Sequence, residues 1–406
     1  MSDTTTNPPW LAILGVNEDG ALSPEARRLI GDAALVVGGA RHLALADALI
    51  AGERMAWSSP LAASFDAIMA RRPQPVAVLA SGDPFFYGVG STLASLVPAA
   101  ERLCIPAPSS LALACARLGW AVQDCATISF CGRPLAPLAP LLQPGARILA
   151  LSADAGTPGL VATLLQARGF GPSVLHVMEA LSSPQERIRS TTAAWFRLSD
   201  IHPLNLLAIE VSALPGAQCI PLSTGLPDAL FEHDGQITKR EIRAVTLSAL
   251  APRRGERLWD IGAGSGAVAI EWLLRHPANQ AVAIERHGER AARAARNAVS
   301  LGVPHLHVAG APAPGALAGL PPPDAVFIGG GAHEPGVIDA AWAALPPGGR
   351  LVANAVTVES EAALIAARAR FGGTLSRLSV ERLDRIGGLH GYRPAITVTQ
   401  WLAEKA

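Results

Sequence analysis

Residues 258–271, LWDIGAGSGAVAIE, constrain the fold of this chain more than any other stretch. Leu258, Trp259 and Ile261 are apolar and strand-like. A glycine run follows, Gly262, Gly264 and Gly266, with Ala263 and Ser265 between. Ala267, Val268, Ala269 and Ile270 then lead into a helix. Strand, tight turn and helix in that order open a βαβ unit of an α/β fold. Glycine suits the turn because it tolerates left-handed backbone and lets a ligand approach the main chain. The helix start offers unpaired N–H groups and a positive dipole end, which favour a carboxylate or a phosphate. A second strand, residues 281–285 (AVAIE), ends in Glu285. An acid about 20 residues past such a loop can accept both hydroxyls of a ribose.

The dinucleotide fingerprint is G-x-G-x-x-G. Residues 262–266 read G-x-G-x-G instead, one residue tighter. This resembles the first motif of the Rossmann-like S-adenosylmethionine (SAM) methyltransferases. That resemblance sets the helix start against a methionine carboxylate in place of a pyrophosphate. A glycine-rich turn that binds nothing would show the same spacing, and it is Glu285 that tips the reading toward SAM.

A chain of 406 residues is expected to form two domains. Half of its residues are hydrophobic, 16% are charged, and the formal net charge is zero. A general nucleic-acid or acidic-membrane binder needs a basic excess, so neither partner is expected. A local basic pocket for an acidic small molecule stays open. The five cysteines, Cys104, Cys115, Cys125, Cys131 and Cys219, include no C-x-x-C pair. Neither a disulfide framework nor a zinc site is indicated, no metal is expected, and a reducing compartment follows. The start, MSDTTTNPPW, lacks the basic segment and apolar core of a secretory signal. No apolar run nears the ~18–20 residues of a membrane span. The expectation is a soluble, cytoplasmic homo-oligomer.

Taken in order, residues 10–16 read as a strand. Ser23–Pro24–Glu25 reads as a helix start, with Ser as N-cap and Pro at the first helical position. Residues 33–37 read as another strand, followed by Arg41 and His42, the histidine as a capping or surface residue. Residues 74–80 (QPVAVLA) form the continuous apolar run of a parallel strand. They lead into the turn Ser81–Gly82–Asp83–Pro84–Phe85–Phe86, at the carboxyl end of a strand, where ligands of open α/β sheets sit. Residues 105–110 (IPAPSS) open a helix over 111–118 that Ser109 or Ser110 caps and Gly119 stops.

LASGDPFFYGVGSTL, PAPSSLALACARLGW and ISFCGRP resemble the tetrapyrrole methylase superfamily, in particular its cobalamin-pathway branch that methylates precorrins. The first glycine-rich loop of that family maps to residues 15–20 (GVNEDG), and its SGDPxF turn to 81–86. Its PSSL serines map to Ser109 and Ser110, and its E-x-L-x-x-x-x-E-R-I segment to 179–188. The usual S-x-H-G-R stands here as Ser129–Phe130–Cys131–Gly132–Arg133; Cys131 replaces the histidine, so that histidine's role does not carry over. The likeness covers residues 10–212. It implies two α/β subdomains holding SAM in a cleft, with Gly82, Asp83, Phe86, Ser109 and Ser110 as cofactor contacts.

Residues 213–228, rich in Pro, Gly and Ser, read as a linker. Beyond it Thr238 reads as an N-cap, with Glu241 completing a capping box. Lys239, Arg240 and Arg243 follow in the first turns, against the helix dipole. That placement points to an anionic ligand or to a solvated basic face. A helix over 289–300 carries Arg290, Arg293 and Arg296 as a solvated stripe. Strands are expected at 306–308, 324–328, 351–355 and 395–401. Gly329–Gly330–Gly331 forms a second glycine loop at a strand's carboxyl end, and His333–Glu334 reads as a helix start in preference to an acid/base pair.

GLPDALFEHDGQITKREIRA, LWDIGAGSGAVAIEW, PDAVFIGGG, PPGGRLVANAVTVE and RIGGLHGYRP resemble the decarboxylating precorrin methyltransferases that act at carbon 15. This second domain is placed at 229–402. The fusion order is similar to that of the bifunctional precorrin-6Y methyltransferases of aerobic cobalamin synthesis. The resemblance implies SAM contacts at Thr238, Gly262, Ala263, Gly264, Ser265, Gly266, Glu285, Gly310 and Ala311. It also implies two SAM sites, methylation of precorrin-6Y at carbons 5 and 15, and loss of carbon dioxide from the ring-C acetate, giving precorrin-8X. The segment GAPAPGAL departs from the family's polar residue after Gly310, which leaves any adenine hydrogen bond there to the backbone. The carboxylates of a tetrapyrrole substrate need cations, and the candidates are Lys239, Arg240, Arg243, Arg382, Arg385 and Arg393. No Ser-His-Asp or paired-carboxylate constellation stands out, so no general acid or base is assigned. The nucleophile would be a macrocycle carbon. A methyltransferase acting on another substrate such as RNA is the alternative; the neutral charge and the lack of a basic stripe with interleaved aromatics disfavour it. The tight loop spacing disfavours an NAD-dependent dehydrogenase.

Overall fold

Residues 11–16, LAILGV, are buried at all six positions, as a strand covered on both faces must be. This strand is β1 (Leu11–Val16). It lies in a five-stranded sheet with β2 (Leu35–Gly38), β3 (Glu53–Ala56), β4 (Val76–Ser81) and β5 (Arg102–Ile105). All pairs are parallel, in the order β3-β2-β4-β1-β5. Alternate residues serve opposite faces. Ala12, Leu14 and Val16 pack with Ala77 and Leu79 in one core, and Leu11 and Ile13 pack with Val76 and Val78 in the other. The computed structural model describes residues 9–406; the reading of no secretory signal, so far as it rests on residues 1–8, lies outside them.

A second sheet holds β6 (Cys125–Ser129), β7 (Arg147–Leu151), β8 (Val174–Glu179), β9 (Arg187–Thr192) and β10 (Asn205–Glu210). Its order is β6-β7-β10-β8-β9, and only the β6–β7 pair is parallel. Strand β8 ends in Glu179, whose side chain is fully buried. Its carboxylate accepts from Arg187 at 2.8 Å, from Arg189 at 3.0 Å and from the His202 N–H at 2.8 Å. Burial works to raise this carboxyl, but Arg187, the His202 N–H and Arg189 outweigh it and hold it down at about 2. A group depressed in the fold stabilises it above the unfolded value, near 4.5, and that stability drains away as pH falls through about 2. The thermal midpoint of this unit should therefore fall across that window. In Glu179→Gln the acid dependence should be visibly flatter, read by circular dichroism melts; identical slopes would show that the carboxylate contributes nothing.

Both sheets belong to the first of two units, which takes residues up to 133 together with 144–218. The second takes residues 134–143 with 219–406, so ten residues from the first half of the chain fold with the second. The stretch 213–228 is divided between the two.

The second unit is built on β11 (Arg257–Ile261), β12 (Gln280–Ile284), β13 (His307–Ala309), β14 (Ala325–Ile328), β15 (Arg350–Ala355), β16 (Thr374–Leu378) and β19 (Val398–Glu404). The hairpin β17 (Glu381–Ile386) and β18 (Leu389–Pro394) stands apart as a two-stranded sheet. The seven-stranded order is β13-β12-β11-β14-β15-β19-β16, with β19 antiparallel to both neighbours. Helices cover both faces, and the same alternation recurs: Leu258, Ala281 and Phe327 on one side, Trp259, Val282 and Val326 on the other. The first unit thus has two sheets, matching the two α/β subdomains expected from the sequence, and the second has the largely parallel α/β sheet expected of a Rossmann-like domain. Among the described residues no helix is long and apolar enough to cross a membrane.

Candidate active sites

In the first sheet the chain leaves β1 toward β2 and leaves β4 toward β5, in opposite directions. Such a switch point opens a crevice at the carboxyl ends of the two strands. The end of β1 and the loop after β4 meet there closely enough that a Cβ on Gly15 would lie 2.0 Å from the Gly82 carbonyl oxygen. A cavity of about 400 Å³ opens at this point, lined by Gly82, Asp83, Phe86, Ser109 and Ser110, all five of the expected contacts. Ser109 caps the helix Ser110–Leu118, accepting from the Ala112 N–H, and Gly119 ends it in left-handed backbone. Three buried polar atoms on the cavity wall, Ser152 Oγ, Ser182 Oγ and Asn205 Oδ1, have no hydrogen-bond partner. Buried polar atoms left unpaired are costly, so a polar ligand fits this cleft. Cys131 lines it too, its thiol 3.3 Å from the Ser152 carbonyl oxygen.

His42 corrects the sequence reading. It is buried, not a surface residue, because the helix Ala40–Leu45 turns it onto the cleft wall. Its Nε2 lies 3.0 Å from Ser81 Oγ. Burial, and then the Arg41 charge, push the imidazole down to about 4.

The second unit repeats the plan. The chain leaves β11 toward β12 and β14 toward β15. A Cβ on Gly262, whose φ is +73°, would lie 2.8 Å from the Gly330 nitrogen and carbonyl oxygen. The two glycine loops seen in the sequence thus abut at one switch point. A cavity of about 870 Å³ opens beside them. It is lined by Thr238, Lys239, Gly262, Ala263, Gly264, Ser265, Glu285, Ala311 and Arg382 from the expected set. Glu285 is buried and accepts from the Gly264 N–H and the His287 N–H, both at 2.9 Å, one to each oxygen. Each oxygen keeps acceptor capacity toward the cavity.

Asp260, the last but one residue of β11, was not singled out by sequence reasoning. It is fully buried and lines the cavity; one oxygen accepts from the Ala269 N–H at 3.0 Å and the other has no partner. Burial pushes its carboxyl up to about 7, with the Glu285 charge adding to the effect. Its place two residues before the first loop glycine was the available signal. The orphaned oxygen, the glycine cradle and the start of the helix Ala267–Arg275 together fit a ligand carrying both a cation and an anion.

Several expected contacts stand elsewhere. Arg243 is completely buried. Its guanidinium donates to Glu271 at 2.5 Å, to Asp228 at 3.1 Å and to the carbonyls of Thr238 and Leu226, so it is structural and closed to a substrate. Arg240 donates to the Gly225 carbonyl at 3.0 Å and does not line the cavity. The cations that oppose the helix dipole therefore serve packing at two of three positions. Arg385 and Arg393 lie on the exposed β17–β18 hairpin, Arg393 paired with Asp384 at 3.1 Å. Gly266 is the N-cap of Ala267–Arg275, and Gly310 precedes the lining residue Ala311. The capping box at Thr238 does not form: the helix Arg240–Leu250 has Lys239 as its N-cap, without a side-chain bond.

Arg290 is no solvated stripe. It reaches the cavity and pairs with Asp234 at 2.9 Å, joined by Arg293 at 3.2 Å. His333 and Glu334 line the cavity as well, ahead of the helix Val337–Ala344. Among the described residues no group of three or more His, Cys, Asp or Glu is placed to hold a metal.

Two family profiles match the chain. One described as tetrapyrrole (corrin/porphyrin) methylases covers residues 14–195, and one described as a precorrin methyltransferase domain covers 229–405. A protein of Sinorhizobium named precorrin-6Y C(5,15)-methyltransferase [decarboxylating] is 57% identical over 97% of this chain and 96% of its own. One of the same name from Mycobacterium tuberculosis is 40% identical over 97% of this chain and all of its own. A shorter protein of Salmonella typhimurium, named cobalt-precorrin-6B C(15)-methyltransferase (decarboxylating), is 34% identical over 42% of this chain and 90% of its own.

Proposed function

The chain belongs to the family of decarboxylating precorrin-6Y C(5,15)-methyltransferases, and from that premise we propose a division of labour between its two clefts. It is a SAM-dependent C-methyltransferase with decarboxylase activity, acting on precorrin-6Y in cobalamin biosynthesis. Each cleft binds its own SAM. The first unit methylates carbon 5; the second methylates carbon 15 and releases carbon dioxide. The observation that carries this reading is the pair of switch-point cavities, each walled by its own glycine contact, with three unpaired buried polar atoms in the first and one, Asp260 Oδ1, in the second. The shorter relative, named for carbon 15 alone and matched over 175 residues, supports one unit carrying that step by itself, and the precorrin methyltransferase profile at 229–405 supports the second unit as that one.

Bound SAM supplies an electrophilic methyl group. In the second cleft Glu285 holds ribose hydroxyls, Asp260 and the start of Ala267–Arg275 hold the charged methionine end, and Ala311 borders the base. In the first, Asp83, Ser109, Ser110 and Asn205 provide the polar contacts. Transfer is a displacement in line, so both sites act by positioning and by excluding water. Lys239 and Arg382 face substrate carboxylates. Arg382 is held by Glu241, and its Ala variant should raise KM for precorrin-6Y about ten-fold, as loss of one charged hydrogen bond does. SAM affinity should hardly change; equal weakening of both ligands counts against this role.

A homo-oligomer remains part of the reading, supported by the exposed Leu383, Ile386, Leu389 and Tyr392 of the β17–β18 hairpin. So does a cytoplasmic setting, supported by five unpaired cysteines, and the lack of a nucleic-acid partner, supported by the zero net charge. The direct test is to incubate the protein with SAM and precorrin-6Y and weigh the product. Two methyl groups gained and one carbon dioxide lost is the expected change; any other methylated product counts against the substrate.

A further inference from the structure

A conjugated bridging carbon of a tetrapyrrole carries one hydrogen. When it accepts a methyl group, the new carbon–carbon bond draws on a π pair of the macrocycle, and the donor sulfur keeps the pair of the bond it gives up. The carbon then holds both methyl and hydrogen. Conjugation returns only when that hydrogen leaves as a proton, its bonding pair passing back into the ring. Something beside the carbon has to take the proton.

The wall of the first cleft holds a pair suited to this. Ser81 is the last residue of β4, exposed to the cavity. His42 stands behind it, buried, with Nε2 at 3.0 Å from Ser81 Oγ. Arg41 Nη2 lies 3.3 Å from both Ser81 Oγ and His42 Nε2, and 2.9 Å from Glu18 Oε1. A guanidinium has hydrogens to give and no lone pair to offer; with one Nη2 hydrogen on Glu18, the other lies between Ser81 Oγ and His42 Nε2. In the tautomer with hydrogen on Nδ1, Nε2 carries none and the serine hydroxyl points its own hydrogen at Nε2. Glu18 balances the Arg41 charge, and Asp83, across the turn, also faces the cavity. That tautomer is a neutral imidazole whose Nε2 lone pair lies one hydroxyl away from the ligand space.

We propose that Ser81 and His42 form the proton-accepting relay for the carbon methylated in the first unit's cleft. The proton leaves the methylated carbon for Ser81 Oγ as the Ser81 hydroxyl hydrogen passes to His42 Nε2. The imidazolium later returns its proton through the same hydroxyl to water. Ser81 is the group that meets substrate; His42 acts through it. The inference rests on the reading that places carbon-5 transfer in this cleft.

The test uses the full chain with SAM and precorrin-6Y. Removing a positioned general base costs on the order of 10²-fold or more. Carbon-5 methylation in Ser81→Ala and His42→Gln should slow by about that factor, with S-adenosylhomocysteine affinity and carbon-15 methylation kept. Ser81→Thr, which retains the hydroxyl, should restore most of the rate. Independently of turnover, ring-nitrogen NMR of histidine-labelled protein without ligands should show His42 with hydrogen on Nδ1 and a bare Nε2. A hydrogen on Nε2 overturns the relay, as does a wild-type rate in Ser81→Ala, an exposed position whose loss leaves packing intact. Ser81→Trp fills the cavity and separates the two levels: carbon-5 methylation that survives it refutes the placement of the reaction itself.

Discussion

Gly264→Arg should abolish carbon-15 methylation and the loss of carbon dioxide while carbon-5 methylation continues. Gly264 has φ of +57°, a left-handed backbone that costs an ordinary residue about 1–2 kcal/mol. Its N–H is held by Glu285 at 2.9 Å, so a shift of this loop also moves the acid proposed to grip the ribose. The arginine side chain would enter the cavity, since Gly264 lines it and a Cβ there meets nothing closer than the Gln236 carbonyl at 3.5 Å. Methyl transfer depends on placement to within an ångström, and a displacement of that size alone costs about 10²-fold; occlusion adds to it. The product should carry one new methyl and its full set of carboxylates. A variant that still makes both methylations would refute the assignment of the second cleft.

Glu271→Ala should destabilise the second unit by about 3–5 kcal/mol, the usual cost of leaving one half of a buried ion pair unpaired. Glu271 and Arg243 are both fully buried, 2.5 Å apart. The same carboxylate accepts from the N–H groups of Gly225 and Leu226, at 2.7 and 2.9 Å. It therefore fixes the 225–228 segment as well as Arg243, whose remaining ion-pair partner, Asp228, sits on that segment. A thermal scan should show the second unit melting early, with SAM binding to the first unit kept. Glu271→Gln, which preserves shape and one acceptor oxygen, should lose less. A wild-type melt in Glu271→Ala would mean that Arg243 finds water or another partner.

The apolar strands and the glycine turns were legible in the sequence because both signals are local. A run such as LAILGV must be covered on two faces, and G-x-G-x-G after a strand has few conformations open to it. The neighbouring glycine loop at 329–331 could be placed at a strand end, but its contact with Gly262 depends on strand order, which periodicity does not give. Charge was misread for the same reason. Lys239, Arg240 and Arg243 look alike as a basic cluster, yet Arg243 faces Glu271 across a helix pair and is sealed in the core, while Lys239 reaches the cavity. Arg290 passed for solvent-facing because its partner, Asp234, lies far back in the chain. His42 and Asp260 were missed in opposite ways. The histidine is buried by contacts from β4, forty residues on, whereas the aspartate sat inside the motif itself and was masked by the glycines beside it.

The most direct measurement is an equilibrium titration of the purified chain with radiolabelled SAM. Two equivalents bound per chain are expected, falling to one in Gly264→Arg. A single equivalent in the wild type, or none, would contradict the presence of two separate donor sites.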